Sequence, residues 1–400
     1  MTDQSAGERM LLKLLEAAHL TRPDNLPRLV ADAARHIGAD EVAIYVVDYA
    51  QVRLVPLVVE GQDREPVAID STLAGRAFRT VDIERTEESG RTRLWVPLSD
   101  GTDRVGVLGL VLDRDVAGDE VTLARVRGLG SLVAEFLVSR KQLGDAFGAA
   151  ARRQEMSLAA EIQWHLLPPL TYADHEVVVA GAVEPAYAVG GDAFDFAVDG
   201  DCLRFAVFDA MGHGLQASLI CVTAVSAYRN TRRSGGGLVA AALAADAAVA
   251  EAFGSETFVT AVLAELRTDT GELRVVVAGH PHPLVVRGGR AVKSVGQHNT
   301  LPLGLGLVQV TVDEERLEPG DRVLLYTDGV VEARSPEGEF FGVERMVDFV
   351  GRETGSGLAA PEIMRRVVHA VLRHQNGQLQ DDATMLLVEW RGGRERELAP

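Results

Sequence analysis

From Glu8 to Ile37 apolar residues return every three or four positions (Met10, Leu11, Leu14, Leu15, Ala18, then Leu26, Leu29, Val30, Ala33, Ala34). Pro23 separates the two runs, which predicts two helices. The period then changes: AIYVVD at 43–48, LVPLVVE at 54–60, LWVPL at 94–98 and VGVLGLVL at 105–112 predict strands, with a helix over STLAGRAFRT at 71–80. Helical spacing resumes at Glu120 and runs through Leu129, Leu132, Phe136, Leu143, Phe147, Leu158, Ile162 and Leu166, until Pro168-Pro169 forbids further helix. This predicts one long connector helix, weakest near Gly144 and Gly148. Its narrow apolar seam suits parallel pairing with a second copy, although a helix lying back on its own domain satisfies the same spacing.

Beyond Pro169 short apolar runs are punctuated by Gly and Asp. EVVVAGAV (176–183), CLRFAVFDA (202–210), TFVTAVLAEL (257–266), ELRVVVAGH (272–280), PLVVRG (283–288), DRVLLYTDG (321–329) and DATMLLVEW (382–390) predict strands. RTDTG makes the third and fourth of these a hairpin. Helices are predicted over 215–230, 238–252 and Pro361 to Arg373. Antiparallel strands with inserted helices predict a layered sandwich covered by helices, since a doubly wound fold would alternate strand and helix strictly. The chain therefore reads as a two-domain α/β protein: residues 1–138, a connector at 139–168, a second domain at 169–392, and a tail at 393–400. The tail and SGGG at 234–237 have the composition of flexible segments.

Of 400 residues, 47% are hydrophobic and 24% charged, enough to build ordinary globular cores. The 58 acidic residues against 40 basic ones leave a net charge of −18, which repels nucleic acid and anionic lipid, so neither is expected as a partner. Cys202 and Cys221 form neither a zinc spacing nor a disulfide framework. The opening MTDQSAGERM lacks the pattern of a secretory signal, and no apolar run reaches membrane-spanning length. A soluble, cytoplasmic protein is expected.

Four segments place aspartate at the end of an apolar strand or in a glycine turn: GGDAFDF (190–196), FDAMGHG (208–214), YTDGVVEA (326–333) and QDDATML (380–386). A carboxylate at a strand end sits on a rigid element yet faces the sheet rim. Several from remote stretches can converge there, and crowded carboxylates require a cation; hard divalent ions take oxygen ligands. One Asp-Gly pair is usually a turn. The ordered conjunction of GGD, D-x-M-G-H-G, TDG and DD-A-T carries the signal.

Those motifs resemble the PPM (type 2C) metal-dependent protein serine/threonine phosphatases, in the bacterial branch that controls sporulation and general-stress sigma factors. The resemblance runs from AAEIQWHLLPP to DDATMLLVEW and includes Gln163 to Pro168, TFVTAV, VAGHPHPL, LPLGLG and LEPGDRVLLYTDGVVEAR. It implies an α/β/β/α sandwich and two or more Mn2+ or Mg2+ ions. Asp209 would bridge two of them with the carbonyl of Ala210 as a further ligand, Asp192 would support the site, and Asp328 and Asp381 would complete the other metal's shell. Motif position favours Asp381 over Asp382, which stays open as a ligand. Gly190 and Gly191 would let the backbone approach closely. Metal-activated water would attack phosphorus in line. The implied substrate is a phosphoserine or phosphothreonine on a STAS-type anti-anti-sigma factor.

The match has departures. Ala193 stands where a larger residue is usual after GGD, and Ala210 where many members have glycine. No arginine is identifiable as a phosphate clamp; Arg204 and Arg322 are candidates by neighbourhood alone. Asp195 reads as a helper or a turn residue, His280 and His282 as loop-bonding residues before ligands, His213 as a turn residue or proton carrier, and Trp164 and His165 as helix positions, the tryptophan packing.

Residues 1–138 resemble a GAF domain through their order of helix, strands, IDSTLAGRAF and VGVLGLVL. That implies a small-molecule ligand or a ligand-free dimerisation scaffold, and a homodimer. No cysteine there could hold a bilin, and only His19 and His36 could ligate haem. The helical pattern running into the second domain leads to the expectation that the connector gates activity. Two other functions compete: a catalytically inactive scaffold that binds sigma-factor regulators, and a diguanylate cyclase, whose GG-D/E-E-F loop GGDAF approaches but whose acidic residue is replaced by Ala193.

Overall fold

The computed structural model describes residues 5–392 except 19, 58–63, 89, 142, 185, 188–189, 307–308 and 378. The chain divides into two compact units, Met1–Glu155 and Met156–Pro400.

In the first unit, α1 (Ala6–Ala18) and α2 (Leu26–Ala34) precede a six-stranded sheet. Its strands are β1 (Glu41–Val47), β2 (Arg53–Pro56), β3 (Val67–Ala68), β4 (Glu84–Glu88), β5 (Arg91–Asp100) and β6 (Asp103–Asp113), in the antiparallel order β3-β2-β1-β6-β5-β4. Helix α3 (Leu73–Thr80) is started by Thr72, whose Oγ1 accepts from Gly75 N at 3.0 Å. Helices α4 (Arg114–Ala117), α5 (Glu120–Arg140) and α6 (Ala146–Ala151) follow the sheet. Side chains alternate along β1, so Ile44 and Val46 join a core with Leu14, Leu26, Val126, Leu129 and Val133, whereas Ala43 and Tyr45 meet Ala74, Ala77 and Phe78 of α3. The expected strand at 54–60 is β2, with 58–60 outside the described residues, as are His19 and the tail 393–400; His36 is exposed.

The long connector is corrected by the structure. Instead of one helix the chain forms three: α5, α6 and α7 (Leu158–Leu166). Leu129 is buried and Leu132 and Phe136 are packed against the first unit's core, so the seam of α5 serves its own domain. Arg152 takes an extended conformation after α6, and Ser157 starts α7 afresh, its Oγ accepting from Ala160 N at 3.1 Å. Helical spacing persisted across these breaks because each segment buries one face, α5 and α6 in the first unit's core and α7 within the second unit.

The second unit adds β7 (Thr171–Ala173), β8 (Val177–Glu184), β9 (Asp192–Asp199), β10 (Cys202–Ala210), α8 (Gly214–Arg233), α9 (Leu238–Phe253), β11 (Val259–Arg267) and β12 (Glu272–Ala278). Then come β13 (Leu284–Arg287), β14 (Arg290–Ser294), β15 (Asn299–Thr300), β16 (Asp313–Arg316), β17 (Arg322–Tyr326), α10 (Asp328–Val331), α11 (Val343–Gly355), α12 (Ala360–His374) and β18 (Ala383–Trp390). One sheet runs β15-β12-β11-β10-β9 with β16 beside β12, the other β14-β13-β17-β18-β8-β7. Val179, Phe194, Phe205, Val262, Val277, Val323 and Leu386 fill the space between them. On one outer face Ile220, Ala224 and Tyr228 of α8 and Ala242 of α9 cover Phe208 and Leu263; on the other Met346, Ile363 and Val367 of α11 and α12 cover Ala180, Leu324 and Met385. The order is helix, sheet, sheet, helix. Strands buried on both faces explain the near-continuous apolar runs.

Candidate metal centre at the rim of the sandwich

Four strand ends meet at one edge of the second unit. Asp192 opens β9 and Asp209 nears the end of β10, and the two are direct cross-strand partners. Asp328 follows β17 in the facing sheet, and Asp381 and Asp382 lead into β18, the neighbour of β17. Asp192 and Asp382 are buried, Asp209 partly so, and Asp328 and Asp381 are exposed.

The inner carboxylates are fixed by bonds that cross between the sheets. Thr327 Oγ1 donates to Asp192 Oδ2 at 2.7 Å, and Gly191 N donates to Asp382 Oδ2 at 2.6 Å. Gln163 of α7 donates through Nε2 to the Asp192 carbonyl at 2.8 Å, and Ser218 Oγ donates to the Gly190 carbonyl at 2.5 Å. The glycine of TDG is a matter of space: a Cβ on Gly329 would overlap the carbonyl oxygen of Asp382. Gly190 is confined less severely, with Ala159 O and Ser218 Oγ 2.9 Å from where a Cβ would stand.

Crowding shows in the acidities. Burial first, then the carboxylates of Asp328, Asp381 and Asp382, pushes Asp209 up to about 7. Burial followed by Asp209 and Asp382 holds Asp192 well above the usual carboxylate range. Asp382 rises to about 6, through burial opposed by the Gly191 N–H and reinforced by Asp381. Asp328 is raised by burial and by Asp381. Four carboxyl groups on two sheets are thus raised by burial and by neighbouring carboxylates.

Among the described residues no group of three or more His, Cys, Asp or Glu is closed tightly enough to hold a metal ion as the side chains stand. The chemistry of the donors nevertheless fits a hard divalent cation. All are oxygen, they repel one another in its absence, and Asp382 Oδ1 is buried without a hydrogen-bond partner. Asp381 faces solvent while Asp382 is held inward by Gly191, an arrangement that separates the two residues the motif left open. Ala210 is buried beside them, its N donating to the Gly191 carbonyl at 3.1 Å.

Other candidates fall elsewhere. Asp195 is buried in ion pairs with Arg229 at 2.7 Å and Arg232 at 2.9 Å, a structural anchor that also ties α8 to the end of α7 through Arg229 Nη2 and the Leu166 carbonyl. Arg204 pairs with Glu265 and Arg322 with Glu389 along the sheets, so neither is a phosphate clamp as placed. His213 occupies the position before α8 without capping it. Trp164 Nε1 donates to the Ala186 carbonyl, and His165 is exposed. His280 is buried and hydrogen-bonded between Thr260 and Tyr326. Gln163, Thr260 and Thr327 were legible only as parts of longer motifs, because a hydrogen-bonding role leaves no spacing signature.

Residues 199–391 match the Stage II sporulation protein E (SpoIIE) family. The matched stretch runs from the end of β9 to just past β18, most of the second unit. Protein IcfG of Synechocystis sp. is 29% identical over 272 residues, covering 59% of this chain and 41% of that protein. Phosphoserine phosphatase RsbU of Bacillus subtilis is 23% identical over 242 residues, covering 59% of this chain and 70% of RsbU. The solved RsbU and RsbW domains of Rv1364c from Mycobacterium tuberculosis are 30% identical with a TM-score of 0.48, covering 55% of this chain and 62% of that one. The match thus spans less than half the length of IcfG.

Proposed function

We propose that the protein is a metal-dependent protein serine/threonine phosphatase that hydrolyses a phosphoserine or phosphothreonine on a STAS-type anti-anti-sigma factor. The observation that carries this reading is the convergence of Asp192, Asp209, Asp328, Asp381 and Asp382 from remote segments onto one rim, where burial and neighbouring carboxylates raise the proton affinity of Asp192, Asp209, Asp328 and Asp382. Mn2+ or Mg2+ bound there would supply an acidified water as nucleophile and neutralise charge developing on the phosphoryl oxygens. Asp209, Asp328 and Asp381, on the open side, would hold the ions with the Ala210 carbonyl. Asp192 and Asp382, pinned by Thr327 and Gly191, would fix the wall behind them. The substrate assignment is supported by the RsbU relative, a phosphoserine phosphatase. The test is release of phosphate from a serine-phosphorylated STAS-type protein by the full chain with Mn2+, against chelator and Asp209→Asn. Binding without hydrolysis would instead indicate an inactive scaffold.

We further propose that the first unit is a GAF-like regulatory and dimerisation module, supported by its six-stranded antiparallel sheet with helices on both faces. It would act through α7, whose Gln163 touches the Asp192 backbone. A chain beginning at Ser157 with the turnover and regulation of the full protein would refute that gating. No helix among the described residues is long and apolar enough to cross a membrane.

A further inference from the structure

His280 follows Gly279 in the turn after β12 and is 2% exposed. Its Nε2 lies 3.1 Å from the carbonyl oxygen of Tyr326, and its Nδ1 lies 2.7 Å from Thr260 Oγ1. A carbonyl only accepts, so Nε2 carries the proton, and the neutral ring offers a bare Nδ1 to the Thr260 hydroxyl. Burial lowers the imidazole to about 4, consistent with a neutral ring. Both nitrogens are engaged, which leaves neither for a metal.

The two partners belong to different sheets. Thr260 stands directly across from Asp209 in the β10–β11 ladder, its Oγ1 3.5 Å from Asp209 Oδ2. Tyr326 ends β17, two residues before Asp328. The turn bearing His280 is itself anchored: Gly279 N donates to Asn299 Oδ1 at 2.7 Å, and Asn299 Nδ2 donates to the His280 carbonyl at 3.4 Å. Gly279 adopts φ +65°, and a Cβ there would overlap Pro302.

We propose that His280 is a positioning residue of the phosphatase site: its imidazole ties the strand pair carrying Asp209 to the strand end carrying Asp328 and sets the spacing at which the two carboxylates share cations. This rests on the metal-centre reading above. The ties Thr327 to Asp192 and Gly191 to Asp382 brace the inner wall, whereas this one spans the solvent-facing carboxylates that would hold the ions. Partners behind ligating groups typically control metal affinity or activity by about 10- to 100-fold.

The experiment uses the full chain and four variants: Thr260→Val, which keeps the volume and loses the hydroxyl, Thr260→Ser, His280→Ala and Asp209→Asn. Mn2+ affinity is measured by calorimetry, kcat and KM are measured on p-nitrophenyl phosphate, and the His280 tautomer is read by 15N NMR. Thr260→Val is expected to bind Mn2+ about 10- to 100-fold more weakly and to lose kcat by a similar factor, with KM within about twofold of wild type. Thr260→Ser restores both, His280→Ala behaves like Thr260→Val where it folds, and the ring is protonated at Nε2 alone. Wild-type Mn2+ affinity in Thr260→Val, or a proton on Nδ1, overturns the proposal. Equal Mn2+ affinity in wild type and Asp209→Asn would instead overturn the metal-centre reading beneath it.

Discussion

Without metal the second unit should become less stable as the pH rises, the reverse of ordinary salt-bridged carboxylates. Asp209 holds its proton up to about 7 in the fold against 3.8 for a free aspartate. Asp382 holds on to about 6, and burial followed by Asp209 and Asp382 keeps Asp192 well above the usual carboxylate range. The folded state therefore binds protons more tightly than the unfolded one. Their stabilising contribution is complete below about pH 4 and is lost as pH climbs through about 6 to 7. At about 1.4 kcal/mol per tenfold change in proton affinity, the Asp209 displacement alone corresponds to about 4 kcal/mol, and relaxation of the rim reduces this to the order of 2–4 kcal/mol. The assay is urea unfolding of the full chain in chelator at about pH 5.5 and pH 8, followed by fluorescence, with Trp164 and Trp390 reporting from the second unit. The midpoint should fall by on the order of 1 M between the two. Excess Mn2+ at the higher pH should restore it, since an ion that binds only the folded state stabilises it. A chelated protein more stable at pH 8 than at pH 5.5 would refute the reasoning.

Gly329→Ala should lower Mn2+-dependent turnover at least about tenfold, because the added methyl overlaps the Asp382 carbonyl and must displace the turn carrying Asp328; wild-type rates would show that the turn yields freely. Asp195→Asn should destabilise the second unit by about 3–5 kcal/mol in urea melts, as it leaves Arg229 and Arg232 with an unbalanced buried charge; an unchanged midpoint would remove the anchor assigned to it. Arg322→Ala should leave KM for a phosphomonoester within about twofold, since its guanidinium is paired with Glu389 along the sheet; a large rise in KM would make it the missing clamp.

The strands of the second unit were legible because most are buried on both faces and so read as apolar runs ending at Gly or Asp, as β10 and β17 do before Asp209 and Asp328. The aspartates stood out because each closes or opens such a run or follows a glycine pair, as Asp192, Asp209, Asp328 and Asp382 do. The connector was not. Its apolar spacing reports that some face is buried and says nothing about which partner buries it, so α5, α6 and α7 merged into one pattern although Ser157 offered a helix start. Helix α11 was not predicted, although Met346, Val347 and Val350 keep helical spacing. The hydrogen bonds of Gln163, Thr327 and His280 join positions far apart in sequence, and one chain carries no local mark of such pairings.

The most direct test of the central claim is hydrolysis of p-nitrophenyl phosphate by the full chain with Mn2+, comparing wild type with Asp209→Asn and Asp328→Asn under matched circular dichroism. Turnover that requires Mn2+, stops in chelator and falls by at least about a hundredfold in both variants is the predicted result. Folded variants with wild-type rates, or turnover indifferent to chelator, would contradict it.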